Sequence, residues 1–331
     1  MEVRAEVAKQ SKSLEEMRAS SRARYMTSEP SSQRRPMPPS APHCPVLLQE
    51  VLEHLAPGPH GVYVDATVGA GGHAIGILNA SAPSGRVIGL DRDESALAVA
   101  RERLDSFGER VRLHHGTFSE LADYLDLEGL RSVDGIVADL GLSSLQLADA
   151  ERGFAFSADG PLDMRFDRRS GETAADLVNN LDERELADFI FHFGGERRSR
   201  AIARRIVERR PIETTRELRQ VIYSVLGPRR RGGIDPATRT FQALRITVNR
   251  EMETLAAFLE VAAERLAPGG RLVIISYHSL EDGTVKRAFR EKKRTEVFRI
   301  LTRKPIRPTE SEVSANRRAR SAKLRVLERI S

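Results

Sequence analysis

The sequence predicts an α/β fold in which a parallel, doubly wound sheet is interrupted by a helical insertion. Short apolar runs of strand type alternate with segments of helical periodicity through residues 61–139, which is the pattern of consecutive βαβ units. About 110 residues without strand-like runs then separate the fourth of these runs from a fifth. We therefore expect one sheet whose fourth and fifth strands are joined by the insertion.

Each element is predicted from its own local pattern. The five strand-like runs cover residues 61–66, 86–91, 111–115, 133–139 and 271–277. Helices of the sheet region are predicted over 73–79, from Asp93-Glu94 through Leu104, and over 252–266, the last followed by a turn at 268–270. Helical periodicity within the insertion covers 181–193, 197–208 and 215–226.

These elements divide the chain into three parts. Residues 1–40 are rich in Ser, Arg, Pro and Glu and cannot bury a core, so they are predicted to be a disordered tail. Residues 41–143 and 250–331 are predicted to form the sheet domain, and residues 144–249 the helical insertion domain.

Composition limits the disulfides, metal sites and membrane segments that can be expected of this protein. Cys44 is the single cysteine, so neither an intrachain disulfide nor a C-x-x-C metal site can form, and no metal is predicted. No stretch approaches 18 uninterrupted apolar residues, and the first residues lack the apolar run of a secretory signal. We expect a cytoplasmic protein without a membrane partner; whether it is a monomer or a homodimer stays open.

The net charge of +6 is unevenly distributed along the chain. Residues 196–250 hold 15 Arg against 5 acidic residues, and residues 286–331 hold 16 Lys and Arg against 5 acidic residues. Two basic blocks on an otherwise acidic body favour a polyanionic partner such as nucleic acid, although solvated helix faces would also account for them.

A glycine-rich loop follows the first predicted strand. Asp65 ends that strand, glycines follow at 69, 71 and 72, and Asp91 ends the second strand, where it could accept two hydrogen bonds from a ribose diol. Gly69-x-Gly71-x-x-Ala74 also matches a dinucleotide fingerprint, so an NAD-dependent oxidoreductase is one alternative. The acidic residue four positions before Gly69 favours a methyltransferase loop.

Several motifs in one order, from His43 to about Arg329, resemble the bacterial small-subunit ribosomal RNA cytosine-N4 methyltransferase family, also called MraW or RsmH. They are HCPVLL at 43–48, GGH at 71–73, DLGLSSLQL at 139–147, ERGFAF at 151–156, GPLDMR at 160–165, PATRTFQALR at 236–245, SYHSLED at 276–282 and SAKLR at 321–325. The resemblance implies a Rossmann-like class I methyltransferase sheet, S-adenosyl-L-methionine as methyl donor, and a cytidine in the decoding region of 16S ribosomal RNA as acceptor.

Carried over by position, the resemblance implies that the cofactor is bound by Gly71, Gly72, His73, Asp91, Phe118, Asp139 and Gln146. In this scheme Asp91 holds the ribose, and Phe118 flanks the adenine. The residues taken alone leave other roles open: a tight turn for the glycines, a charge at a helix N-terminus for Asp91, and core packing for Phe118.

Candidate catalytic residues follow the fourth and fifth predicted strands. Asp139, or the backbone carbonyl beside it, could accept a hydrogen bond from the cytosine amine; alternatively Asp139 only contacts the cofactor. Many amino-methyltransferases carry Asp/Asn-Pro-Pro-Tyr/Phe at this place, whereas this chain has Asp-Leu-Gly-Leu at 139–142. His278 is a candidate base or RNA contact, or a structural histidine.

The predicted partner is the ribosomal RNA of the small subunit. The arginines of the insertion, including those at 229–231, are expected to contact phosphates. A non-catalytic RNA-binding assembly factor that retains the methyltransferase fold is the remaining alternative.

Overall fold

Strands of the computed structural model, which describes residues 45–229 and 233–331, form one seven-stranded sheet. The strands are β1 (Val62–Asp65), β2 (Arg86–Asp91), β3 (Val111–His115), β4 (Val133–Asp139), β5 (Leu266–Ser276), β6 (Phe298–Ile300) and β7 (Lys323–Arg329). Their order is β3-β2-β1-β4-β5-β7-β6. The predicted tail over residues 1–40, together with Arg230 and Arg231, lies outside the described residues.

The described helices occur on the sheet and between β4 and β5. The helices before β4 are α1 (Leu48–Leu55), α2 (Gly72–Ala80), α3 (Glu94–Leu104) and α4 (Leu121–Leu127). Between β4 and β5 lie α5 (Ser144–Ala148), α6 (Ala174–Asn180), α7 (Glu183–Gly194), α8 (Ser199–Glu208), α9 (Thr215–Leu226), α10 (Ala237–Asn249) and α11 (Glu251–Glu264). After β5 come α12 (Ser279–Lys293) and α13 (Glu310–Ala315). None of the described helices is both long and apolar enough to cross a membrane.

Local signals account for most helix boundaries. The carboxylate of Asp93 accepts a hydrogen bond from the backbone N–H of Ser95 and so begins α3, whose buried residues recur at helical spacing. In the segment between β4 and β5, the helices α6, α7 and α9 each begin with a capping box. The helices predicted at α3, α7 and α9 are confirmed to within a few residues, whereas no helix was predicted at α6.

The core lies on both faces of the sheet because side chains alternate along each strand. Val64, Ile88 and Ile136 pack with α4 and α11, whose Phe258 is fully buried. Their neighbours in sequence, such as Tyr63, Val87 and Val137, pack on the other face against α1, α2 and α3.

The sheet is mixed, which corrects the expectation of a purely parallel one. β1 to β5 pair in parallel as predicted, but β7 lies antiparallel to both β5 and β6, and the strand-like runs of the sequence include neither β6 nor β7. The predicted turn at 268–270 lies within β5, where the pairing register with β4 shifts between Val133 and Gly135. A glycine at positive φ, Gly269, permits this irregularity, so the strand begins five residues earlier than expected.

Candidate active site

The strand order reverses beside β1, which lies between β2 and β4. In sheets of this kind the ligand binds where strand order reverses, outside the carboxyl ends of the strands. Asp65, Asp91 and Asp139 are the last residues of β1, β2 and β4, three adjacent strands. Their carboxylates therefore gather at one edge of the sheet, and this edge is the candidate site.

The glycine loop is tied to this edge by backbone hydrogen bonds. The N–H of Gly69 donates to Asp91 Oδ2 at 2.8 Å, and Gly69 and Gly71 adopt φ angles of 51° and 80°. Gly71 precedes α2 as its N-cap residue. At Gly72 an added Cβ would lie 2.6 Å from Pro45 Cγ, so this glycine is required by close packing. Asp91 Oδ1 accepts a second backbone hydrogen bond, from Asp93, at 2.9 Å.

Two residues predicted to contact the cofactor, His73 and Phe118, make their observed contacts with other residues of the protein. His73 is buried in the first turn of α2, with Nε2 3.0 Å from the carbonyl oxygen of Val46. Phe118, only partly buried, meets Phe258 edge to face with ring centroids 4.9 Å apart. The His73 ring therefore links the glycine loop to the segment before α1. The Phe118 ring packs on the core just after β3.

Gln146 belongs to a buried network around Asp93. Its side-chain amide donates to Asp93 Oδ2 at 3.0 Å, and the same oxygen accepts from Arg152 Nη1 at 2.6 Å. Arg152 also donates to the carbonyl oxygens of Arg165 and Phe166. The network thus fastens the segment that follows β4 onto the start of α3, beside Asp91.

Asp139 is held from two neighbouring elements. Its backbone N–H donates to Thr67 Oγ1 at 2.7 Å, and its Oδ1 accepts from the hydroxyl of Tyr277 at 2.7 Å. The Tyr277 ring approaches Gly141, where an added Cβ would lie 3.3 Å from Cδ2 and where φ is 108°. An aromatic ring from the residue that follows β5 thus lies beside the segment that follows β4.

Burial raises the pKa of all three carboxyl groups. The pKa rises to about 6 for Asp65 and Asp91 and to about 7 for Asp139, in each case mainly because burial penalises the charged form. The Tyr277 hydroxyl opposes this rise at Asp139, and its own pKa is raised by burial beside that carboxylate. The site is therefore rich in acidic groups that exchange protons near neutral pH.

His278 begins α12 as its N-cap residue, with Nδ1 accepting from the N–H of Glu281 at 3.4 Å and Nε2 3.0 Å from Glu281 Oε1. The other oxygen of Glu281 accepts from the backbone N–H of Tyr277 at 2.8 Å. Glu251, His278 and Glu281 together offer ligand atoms within 4.8 Å of one another. However, Arg245 makes hydrogen bonds of 2.7 and 2.8 Å to Glu251, so a guanidinium already supplies the positive charge there.

Sequence reasoning missed Tyr277, Thr67 and Arg152 as members of the site. Tyr277 is the last residue of the fifth predicted strand, which lies next to the fourth, so its position at the same edge as Asp139 was a usable signal. The roles of Thr67 and Arg152 had no comparable signal, because each depends on which loops approach each other. Asp163 and Arg165, which belong to the GPLDMR motif, pair with each other at 2.8 Å.

Comparison with known proteins places the chain in a family. The sequence profile of the MraW methylase family matches residues 40–330. Ribosomal RNA small subunit methyltransferase H of Sorangium cellulosum is 53% identical over 302 residues, covering 89% of this chain and 94% of that protein. The protein of the same name from Cyanothece sp. is 51% identical over 288 residues, covering 87% and 95%. The solved structure of an rRNA methylase from Streptococcus thermophilus aligns at 15% identity with a TM-score of 0.42, covering 86% of this chain and 94% of that one. Because the profile spans nearly the whole described chain and the relatives share half of their residues with it, this protein belongs to the MraW methylase family.

Proposed function

We propose that this protein uses S-adenosyl-L-methionine to methylate N4 of a cytidine in the decoding region of small-subunit ribosomal RNA. Family membership and relatives named ribosomal RNA small subunit methyltransferase H support the reaction class and the RNA. The observation that carries the chemistry is the partly buried carboxylate of Asp139, whose pKa is raised by desolvation to about 7 and which accepts a hydrogen bond from the Tyr277 hydroxyl. A match to a methylase family argues against the NAD-dependent alternative.

The residues at the strand ends fit a cationic cofactor. Within the described chain, no Lys or Arg pairs with Asp65, Asp91 or Asp139, and Asp65 Oδ2 is buried without a hydrogen-bond partner. Carboxyl groups whose pKa is raised by burial become easier to ionise when a cation binds beside them. S-adenosylmethionine, when bound, supplies an electrophilic methyl group on a positively charged sulfur.

The glycine loop and β2 are suited to the rest of the cofactor. Each carboxylate oxygen of Asp91 accepts one backbone hydrogen bond, which leaves a further lone pair on each for the two hydroxyls of a ribose. Phe118, partly exposed beyond β3, offers one ring face to an adenine. Gly71, Gly72 and His73 would border the amino-acid end, and Gln146 would act through Asp93.

Asp139 is placed to act on the acceptor amine. The lone pair of the cytosine amine is delocalised into the ring, so the site must accept hydrogen bonds from the amine hydrogens and finally take a proton. Asp139 Oδ1 is occupied by the Tyr277 hydroxyl, and Oδ2 has no hydrogen-bond donor among the described residues. A carboxyl group with a pKa near 7 is well matched to taking up a proton at neutral pH. We assign His278 the capping of α12 rather than proton transfer.

The substrate is tested with ribosomal RNA from a strain in which the gene has been deleted. We expect this RNA to lack one N4-methylcytidine by mass spectrometry, and the purified protein with S-adenosylmethionine to restore it. An unchanged N4-methylcytidine content in the deletion strain would refute the proposed reaction. Calorimetric titration should show binding of S-adenosylmethionine and none of NAD.

The role of Asp139 is tested with Asp139→Asn, which keeps the shape of the side chain and removes its charge. We expect S-adenosylmethionine still to bind and the methylation rate to fall by roughly 10²–10⁴-fold, the usual contribution of a general base. Asp163→Asn, a carboxylate that pairs with Arg165 away from the strand ends, is the matched control. Loss of cofactor binding by a folded Asp139→Asn protein would assign Asp139 to the cofactor instead.

A further inference from the structure

The two basic blocks of the sequence differ in how their charges are used. Between β4 and β5 many arginines are paired: Arg219 with Asp235 at 3.3 Å, Arg239 with Glu196 at 3.4 Å, and Arg245 with Glu251 at 2.7 Å. Just before β7, in contrast, three arginines lie within four residues on the 3₁₀ turn Arg317–Ser321. Among the described residues, no carboxylate or carbonyl oxygen accepts a hydrogen bond from these three side chains.

Topology places this turn at the edge of the candidate site. β7 runs antiparallel to β5 with Lys323 opposite Ser276, so the residues that precede β7 lie where β5 ends. Ala319 and Ala322 are fully buried in the hydrophobic cluster against which Tyr277 packs. The Asn316 side chain accepts from the backbone N–H of Arg318 at 3.2 Å and fixes the start of the turn.

The charge of the turn is not cancelled by its neighbours. Asp282 pairs with the next two cations along the chain, at 3.4 Å from Lys323 and 2.7 Å from Arg325, and not with the turn. Arg317 and Arg320 are exposed, whereas Arg318 is partly buried. Burial lowers the pKa of Arg318, and the nearby Tyr277 opposes this. A partly desolvated guanidinium without an acceptor gains most from an anionic ligand.

Strand order indicates which anion this is. Apart from Asp139 and Gln146, the residues proposed to border the cofactor lie at the ends of β1, β2 and β3, whereas the turn adjoins β7. β4, which carries Asp139, and β5 lie between β1 and β7, which separates β1 from β7 by about 14 Å at roughly 4.8 Å per strand. The turn is therefore on the far side of Asp139 from the cofactor, where the acceptor nucleotide would enter.

We propose that Arg317, Arg318 and Arg320 form a phosphate-binding strip that holds the RNA backbone beside the target nucleotide. The inference rests on the proposed function because it assumes an RNA acceptor. Three guanidinium groups in one short turn suit consecutive phosphodiesters, which they would bind without reading the base sequence.

The test measures RNA binding, so that it does not depend on turnover. A fluorescein-labelled single-stranded oligocytidylate is titrated at several salt concentrations with the full-length protein and with Arg318→Gln. We expect roughly a tenfold or greater loss of affinity for Arg318→Gln. Replacing all three arginines with Gln should reduce the salt slope by about 2, because each neutralised phosphate of a single strand contributes roughly 0.7 to it. Arg86→Gln, an exposed arginine at the opposite edge of the sheet, should change neither quantity.

A second titration, with S-adenosylmethionine, separates the two anions that could meet Arg318. Unchanged cofactor affinity together with weakened RNA binding supports the strip. Weakened cofactor binding by Arg318→Gln would assign the guanidinium to the carboxylate of the cofactor and overturn the proposal, as would RNA affinity equal to that of Arg86→Gln. If Arg318→Gln does not fold, the exposed pair Arg317→Gln and Arg320→Gln gives the same comparison. Wild-type protein that binds RNA but does not methylate it would contradict the proposed reaction and leave the proposed phosphate-binding strip standing.

Discussion

Removing the hydroxyl of Tyr277 should shift the pH dependence of methylation to higher pH. The hydroxyl donates to Asp139 Oδ1 at 2.7 Å and holds the pKa of Asp139 down to about 7 against burial. A hydrogen bond to a charged acceptor contributes about 1.5–3 kcal/mol, and one pKa unit corresponds to about 1.4 kcal/mol. In Tyr277→Phe the pKa of Asp139 should therefore rise by about one to two units.

The assay is kcat/KM for RNA as a function of pH, because this quantity follows groups of the free enzyme. Near pH 7 the ionised fraction of Asp139 would fall from about a half to roughly 1–10%, so the rate should drop about 5- to 50-fold and recover near pH 9. The ring of the Phe variant keeps its packing beside Gly141. Tyr223→Phe, which removes an equivalent hydrogen bond of 2.6 Å to Asp235, is the matched control and should leave the midpoint unchanged.

Two results would refute this reasoning. A midpoint that stays at its wild-type value means that the hydroxyl does not set the pKa of Asp139. A rate loss that persists undiminished near pH 9 means that Tyr277 positions the substrate or Asp139 without affecting its ionisation.

Three further predictions concern stability and the cofactor loop. Since burial raises the pKa of the three strand-end carboxyl groups, the folded protein holds protons that the unfolded chain releases above about pH 4. The thermal unfolding midpoint should therefore fall as pH rises from about 4 to about 7, and bound S-adenosylmethionine should weaken that trend. Arg152→Met should lower the free energy of unfolding by about 3–5 kcal/mol in denaturant titrations, because it leaves the buried carboxylate of Asp93 unpaired, whereas Arg101→Met, which breaks an exposed pair, should cost less than about 1 kcal/mol. Gly72→Ala should weaken S-adenosylmethionine binding in calorimetry, because its Cβ would lie 2.6 Å from Pro45 Cγ and the loop would have to shift away. Unchanged affinity would show that the loop does not contact the cofactor.

Local patterns were sufficient for the elements that carry the site. The strands ending in Asp65, Asp91 and Asp139 are predicted from short apolar runs, and those runs end at or within one residue of the strands in the structure. The capped helices α7 and α9 are predicted to within a few residues for the same reason: caps and periodicity depend on neighbours within one or two turns. β6 escaped prediction because it has only three residues. β7 escaped because Arg325 and Glu328 interrupt its apolar run, although the structure buries both side chains.

What the sequence by itself determined was the α/β class, the glycine loop, the three acidic strand ends and, through its motifs, the family. Only the tertiary structure decided which side chains meet: the Tyr277 hydroxyl with Asp139 across 138 residues, Arg152 with Asp93 across 59, and the 3₁₀ turn before β7 with the end of β5. The physical reason is that strand and helix formation depends on interactions near in sequence. Which strands become neighbours, and therefore which carboxylate lies beside which hydroxyl, is settled when the whole sheet packs between its two layers of helices.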